Sequence, residues 1–222
     1  MSSSIASPTC ALVSGGLDSA ALLHRLLAQG RRVQPLYVRE GLRWEGAELR
    51  WLRRWLAALR TQRLAPLLIA DLPLTGLYRG HWSRTGRGTP GSRSADAAVY
   101  LPGRNVLLLA AAGLVCAQRR LHTIALGILQ GNPFGDASPR FLRTMGLSLT
   151  QALRHPIRIL APLRSLRKAA LIRSSADVPL ALTFSCLNPR GDRHCGRCNK
   201  CAERRRAFSE ARLPDPTVYA SK

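Results

Sequence analysis

Ser14-Gly15-Gly16-Leu17-Asp18-Ser19 is a stretch whose residue types could do chemistry. Two adjacent glycines let a backbone turn sharply and come close to a ligand. A short apolar run, Thr9-Cys10-Ala11-Leu12-Val13, precedes it, and helix formers from Ala20 to Ala28 follow. The order reads as buried strand, glycine turn, helix. Ser19 then falls near the first helical turn, where free N–H groups and the positive end of the helix dipole attract an anion, most often a phosphate. The two serine hydroxyls add hydrogen bonds, and Asp18 is suited to hold a metal ion that bridges phosphate oxygens. A Walker A loop would carry Lys where Leu17 stands, so this is a different phosphate loop.

Cys186, Cys195, Cys198 and Cys201 form a second constellation, C-x8-C-x2-C-x2-C. A C-x2-C pair places two thiolates around one ion. In a chain read as cytosolic, such clustering points to metal before disulfides. A closed, structural zinc site is the leading reading; an iron–sulfur cluster and redox thiols are the alternatives. Arg190, Arg193, Arg197, Lys200 and Arg204 surround the thiols with positive charge, which favours thiolate. Asp192 and His194 lie nearby, but four thiols suffice without them. Cys10 and Cys116 sit in apolar runs and are expected in the core.

Other polar candidates lie between these two. In Tyr100-Leu101-Pro102-Gly103-Arg104-Asn105, Pro-Gly makes a tight turn and Asn105 is a good N-cap for a helix over 106–119. That puts Arg104 at the helix mouth, able to grip phosphate or carboxylate bidentately. Asn132 and Asp136 are the polar candidates for reading a substrate in the loop 130–139. Lys168 falls in the first turn of a helix over 165–174 that Ser165 would cap. A cation there opposes the helix dipole, so an anionic partner is expected.

The elements that must hold these residues alternate. Strands are expected at 9–13, 33–38, 65–69, 122–126 and 157–160, with helices near 20–28, 46–60, 106–119, 140–153 and 165–174. This pattern implies parallel βαβ units with right-handed crossovers, hence an α/β fold with a parallel sheet flanked by helices. Ligands of such sheets bind at the carboxyl ends of the strands, where the loops 14–19 and 130–139 would meet. The division expected is a phosphate-binding α/β part over 1–175 and a small cysteine-bearing part over 176–222. The stretch 74–95 is rich in Gly, Arg and Ser, without period or core, and is expected to be a mobile lid.

A formal charge of +22, from 34 basic and 12 acidic residues, favours anionic partners such as nucleotides or nucleic acid, tRNA included. Lys168, Lys200 and Lys222 are the only lysines. An Arg-, Ala- and Leu-rich chain is also what a GC-rich genome produces without functional demand. No apolar run is long enough to cross a membrane, and Met1 to Pro8 is a polar leader without a secretory core, so a cytoplasmic protein is expected. The tryptophans of the second helix hint at a homodimer.

SGGLDS at 14–19 resembles the pyrophosphate loop of the ATP-pyrophosphatase (PP-loop) superfamily. With LPGRN at 101–105 and the four cysteines followed by Arg204-Arg205-Arg206, the chain resembles the 7-cyano-7-deazaguanine synthase family of queuosine biosynthesis from about Thr9 to Phe208. The resemblance implies a Rossmann-like, adenine nucleotide alpha hydrolase-like sheet. It implies an ATP-dependent, nitrile-forming C–N ligase acting on 7-carboxy-7-deazaguanine and ammonia, with Mg2+ accompanying ATP and one structural Zn2+ on Cys186, Cys195, Cys198 and Cys201. The nucleotide loop would comprise Val13, Ser14, Gly15, Gly16, Leu17, Asp18, Ser19, Ala20, Ala21, Leu22 and Leu23. Asp18, Arg104 and Lys168 would be catalytic; Arg104, Asn105, Asn132 and Asp136 would bind the substrate. Val38 to Glu45 and Asn132 to Pro139 depart from the family's usual stretches, and both lie where the base should bind. Another carboxylate, an amide or a tRNA base is therefore the alternative acceptor, and a non-catalytic nucleotide-binding role a further alternative.

Overall fold

Residues 8–59, 61–175 and 177–220 are described by the structure, a computed structural model. The leader expected over Met1 to Pro8 lies outside them except for Pro8, as does Arg60 at the end of the expected second helix. The chain runs β1 (Thr9–Leu12), α1 (Leu17–Ala28), β2 (Val33–Arg39), α2 (Glu45–Ala58), β3 (Leu68–Asp71), α3 (Trp82–Thr85) and α4 (Arg104–Arg119). It continues through β4 (Thr123–Ala125), α5 (Pro139–Leu153), β5 (Arg158–Leu160), α6 (Lys168–Arg173) and α7 (Asn199–Ala211). The five strands form one parallel sheet in the order β3-β2-β1-β4-β5. The order reverses at β1, whose neighbours are β2 and β4, so the crevice for a ligand opens beyond the carboxyl ends of β1 and β4.

β1 is buried along its whole length because both sheet faces are covered. One face packs on α1, α2, α6 and α7 through Leu22, Leu26, Leu52, Trp55, Leu171 and Phe208. The other packs on α4 and α5 through Leu109, Cys116, Leu142 and Leu149. Cys10 and Cys116 are fully buried, as their apolar runs require. Among the described residues no helix is long and apolar enough to cross a membrane.

Several local expectations are corrected. The third strand starts at Leu68, three residues late, because Ala65 bonds back to Val33 O before the ladder with β2 begins. Helix α6 starts at Lys168, not Ser165: the preceding backbone is spent on turns, and Leu166 O accepts from Gln130 N. Asn105 is not an N-cap, since α4 begins one residue earlier behind Gly103 at φ 71°. The stretch 74–95, expected to be without a core, has packing of its own. Leu74 and Ser83 are buried, Trp82 stacks on Trp44 at 5.9 Å, and Pro90 O accepts from Asn199 N at 2.8 Å. Isolated anchors of this kind leave no periodicity for a sequence to display.

Candidate active site and metal centre

The loop after β1 is shaped by its glycines. Gly15 has φ 81°, and a Cβ there would lie 3.1 Å from Leu52 Cβ. Gly127, two residues past β4, lets that loop approach the first turn of α1: a Cβ there would lie 3.0 Å from Asp18 O. Gly16 caps α1 in an extended conformation without a side-chain acceptor, so the first-turn N–H groups have no capping partner. Ser19 Oγ accepts from Ser14 N at 2.9 Å and lies 3.1 Å from Ser14 Oγ, which pins both hydroxyls at the mouth. Leu17, Ala20, Ala21, Leu22 and Leu23 point into the core, as Val13 does. A ligand here meets backbone and hydroxyls, not those side chains.

Asp18 points out of the loop. Lys168 donates to its Oδ2 at 3.1 Å, while Oδ1 is buried without a hydrogen-bond partner. An orphaned carboxylate oxygen beside an anion cradle fits a hard cation such as Mg2+. Lys168 also donates to Glu203 Oε1 at 2.5 Å, and Lys200 donates to Glu203 Oε2. Burial works against ionising Glu203, but Lys168 and Lys200 outweigh it and hold the carboxyl at about 2. Burial likewise opposes the Lys168 charge, and Asp18 with Glu203 raises its pKa above the usual range. The anionic partner expected for Lys168 is therefore, in the free protein, a pair of carboxylates.

Arg104 does grip a carboxylate bidentately, and it belongs to the protein: Glu40 Oε1 accepts from Nε at 3.2 Å and Oε2 accepts from Nη2 at 2.6 Å. Glu40 is 1% exposed, so the pair is effectively an internal fixture that aims the guanidinium. Behind it, Tyr37 donates its hydroxyl to buried Glu48 at 2.8 Å, and burial pushes the Glu48 carboxyl up to about 8 against the pull of Arg104. Asn105 and Asp136 are brought together. Asp136 Oδ2 accepts from Asn105 N at 3.0 Å, so Asp136 caps α4 from a neighbouring loop, and Asn105 Nδ2 donates to Asp136 O at 3.2 Å. Asn132 turns its own loop by accepting from Phe134 N at 3.0 Å.

Three cavities converge on this crevice. One, of about 260 Å³, holds Asp18, Gly127, Lys168, Lys200 and Glu203. A second, of about 190 Å³, lies between the ends of β1, β2 and β4, with apolar walls (Leu12, Leu36, Val38, Leu126) and Ser14, Ser19, Glu48 and Arg104. The third, of about 230 Å³, is aromatic: Trp44, Trp82, Tyr100 and Phe134 surround it, with Asp136 and Arg104. Asn132 lines all three. The arrangement offers a phosphate cradle, an apolar slot and an aromatic slot side by side.

Glu40, Glu48, Lys200 and Glu203 are site residues that motif reading missed. Their signal was present. Only 12 acidic residues exist, yet Glu48 shares the buried face of α2 with Leu52 and Trp55 at i, i+4 and i+7, and Glu203 interrupts a basic run.

The four cysteines meet as expected. Their sulfurs lie within 4.8 Å of one another, and Sγ–Sγ separations of 3.5, 3.9 and 4.0 Å are recorded among them. A tetrahedral ion with bonds of about 2.3 Å places its sulfurs roughly 3.8 Å apart, so one metal ion fits. Backbone N–H groups of Leu187, Cys195, Arg197 and Cys198 point at the sulfurs at 3.2 to 3.5 Å, which suits thiolates. His194 is turned away, accepting from Ser185 N at 3.1 Å, and Asp192 pairs with Arg50. Arg204 is engaged with Thr183 and Leu180 O and staples this segment to α7.

The family model described as "Queuosine biosynthesis protein QueC" matches residues 9–212. The 7-cyano-7-deazaguanine synthase of Anaeromyxobacter sp. (strain Fw109-5) is 34% identical over 229 residues, covering 95% of this chain and 95% of the relative. The synthase of Methanothrix thermoacetophila is 31% identical over 218 residues, covering 94% and 96%. Among solved structures, a 4-thiouridine synthetase–RNA complex with bound ATP superposes with a TM-score of 0.52 at 13% identity, over 92% of this chain and 50% of that one; the likeness is one of fold.

Proposed function

The chain belongs to the QueC family of queuosine biosynthesis proteins, and from that membership we propose that it is an ATP-dependent ligase converting 7-carboxy-7-deazaguanine and ammonia into 7-cyano-7-deazaguanine. The observation that carries the reading is the juxtaposition of a phosphate cradle with an aromatic slot, in a chain similar along nearly its whole length to named synthases.

The roles follow from the crevice. Adenosine occupies the apolar slot between strand ends, and its phosphates cross Ser14 to Ser19 toward Asp18 and Lys168. The deazaguanine ring stacks among Trp44, Trp82, Tyr100 and Phe134, where Asp136 and Asn105 read its polar edge. Arg104 lines both slots and stands where a substrate oxygen meets the α-phosphate. Mg2+ carried with ATP supplies charge neutralisation on the phosphate oxygens, with Asp18 as its protein ligand. Lys168 and Arg104 are preorganised by Glu203 and Glu40, so they stabilise developing negative charge without first reorganising.

In this scheme the carboxylate attacks the α-phosphorus and pyrophosphate leaves. Ammonia then displaces AMP to give the amide. The amide oxygen is adenylated in turn, and loss of the second AMP and of the amide protons leaves the nitrile. Both carboxyl oxygens depart on AMP. Zinc is the ion we propose for the four thiols; with no ligand position open it holds structure. Reduced thiolates suit the cytoplasm, where we place the protein.

The test is one reaction: protein, Mg-ATP, ammonium and substrate labelled with 18O in its carboxylate, read by mass spectrometry. Nitrile together with 18O-labelled AMP is expected. AMP without nitrile moves the activity to another acceptor, and neither product from folded, metal-loaded protein overturns the reading.

A further inference from the structure

The phosphate-side cavity and the aromatic cavity share a wall. Val99, Asn132, Phe134 and Lys200 line both, and Lys200 is the charged member of that set. Lys168 and Arg206 line only the phosphate side, whereas Arg104 lines the aromatic and apolar slots and is held by Glu40. Lys200 is 31% exposed and its ammonium rests on Glu203 Oε2. An ammonium carries three donors, and Glu203 takes one. Glu203 is itself divided between Lys200 and Lys168, so it does not neutralise both.

A flat ring in the aromatic slot must send its reacting group across this wall to reach the phosphates. In the acid substrate that group is an anion, and bringing it beside ATP phosphate oxygens sets like charges together. We propose that Lys200 is the residue that binds the carboxylate of the substrate and so selects acid for the first activation. This rests on the reaction proposed above. It separates two half-reactions at one residue: the acid needs Lys200, and the neutral amide formed midway does not.

The experiment uses purified full-length protein and its Lys200→Met and Lys200→Arg variants. Each is checked for metal content by mass spectrometry, since Cys198 and Cys201 flank the position. Binding of 7-carboxy- and 7-amido-7-deazaguanine is followed by quenching of tryptophan fluorescence, as Trp44 and Trp82 line the slot. Nitrile formation from each is measured in parallel. For Lys200→Met the acid is expected to bind about tenfold more weakly or worse, the loss of a charge-assisted hydrogen bond, a loss at least about fivefold greater than that for the amide. Lys200→Arg is expected to recover most of the acid affinity. Equal losses for acid and amide, or a raised KM for ATP alone, overturn the assignment and make Lys200 a structural or phosphate-side residue. Unchanged acid binding overturns it too. Wild-type protein that binds neither compound refutes the ligase reading itself.

Discussion

Glu48 sets a measurable pH dependence on folding. Its carboxyl titrates at about 8 in the folded protein against 4.5 in the unfolded chain, because burial disfavours the charge. Between those values the folded state holds a proton that the unfolded state has lost. Stability is therefore highest below pH 4.5 for this group and is lost as pH rises toward 8. Each unit inside the window costs about 1.4 kcal/mol, which sums to about 2.5 kcal/mol from pH 5.5 to 7.5. His194 acts in the opposite sense: burial lowers it to about 3 from 6.5, so its unfavourable protonation in the folded state fades as pH rises to 6.5. The clean quantity is thus the difference between wild type and Glu48→Gln in matched buffers, where the His194 contribution cancels. Gln is neutral at all pH values and can still accept from Tyr37 at the position where Glu48 does. Urea denaturation followed by tryptophan fluorescence gives both stabilities. The advantage of the variant over wild type should grow by about 2.5 kcal/mol across that range. Parallel pH profiles for the two proteins would refute the argument that Glu48 is buried neutral.

Three other outcomes follow from the site. Asp18→Asn should reduce AMP release by about 100-fold or more with little change in Tm, measured by coupled AMP detection and calorimetry; unaltered turnover would remove Asp18 from the metal and phosphate machinery. Gly15→Ala should destabilise by about 1–3 kcal/mol and weaken ATP binding, because a side chain at φ 81° is strained and would crowd Leu52; an unchanged Tm would count against that backbone. Treatment with a chelator should expose four titratable thiols and lower Tm, since an ion shared by the four cysteines would tie together the segment 186–201; thiols that react at once in untreated, metal-assayed protein would refute metal ligation.

Much of the glycine loop and of the cysteine cluster was legible in the sequence because each is local. SGGLDS needs only its own strand, its glycines and its helix start, and the cysteine spacing carries its own geometry. Strand alternation likewise specified a parallel sheet. What escaped reading was the set of partners. The motif places Arg104 to reach a phosphate or a carboxylate, and says nothing of Glu40, 64 residues earlier, which holds its guanidinium. Asn105 looked like a cap, and the cap is Asp136 on another loop. A propensity rule sees the residue that could make a hydrogen bond and is blind to a distant one that makes it first. The packing of the stretch 74–95 escaped for a related reason: Leu74, Trp82 and Ser83 are single anchors, and single anchors have no period.

Helix α7 shows why the two legible motifs, 167 residues apart at their near ends, belong to one machine. It starts directly after Cys198 and carries Cys201, so an ion held by the four thiols would fix its first turn. That same turn carries Lys200 and Glu203 to the phosphate cavity, while Asn199 binds Ser94 O at 2.9 Å and holds the segment leading to Tyr100. Cysteine spacing alone assigns such an ion to stability. Its effect is more specific than that, because Glu203 is the second carboxylate on Lys168, and Lys168 is what faces Asp18. An ion with four thiolates and no open position would take no part in bond making, yet the cysteines that hold it set where two of the crevice's charges stand. In a chain with few acidic residues, that placement decides which of its many cations are neutralised and which remain for an anionic ligand.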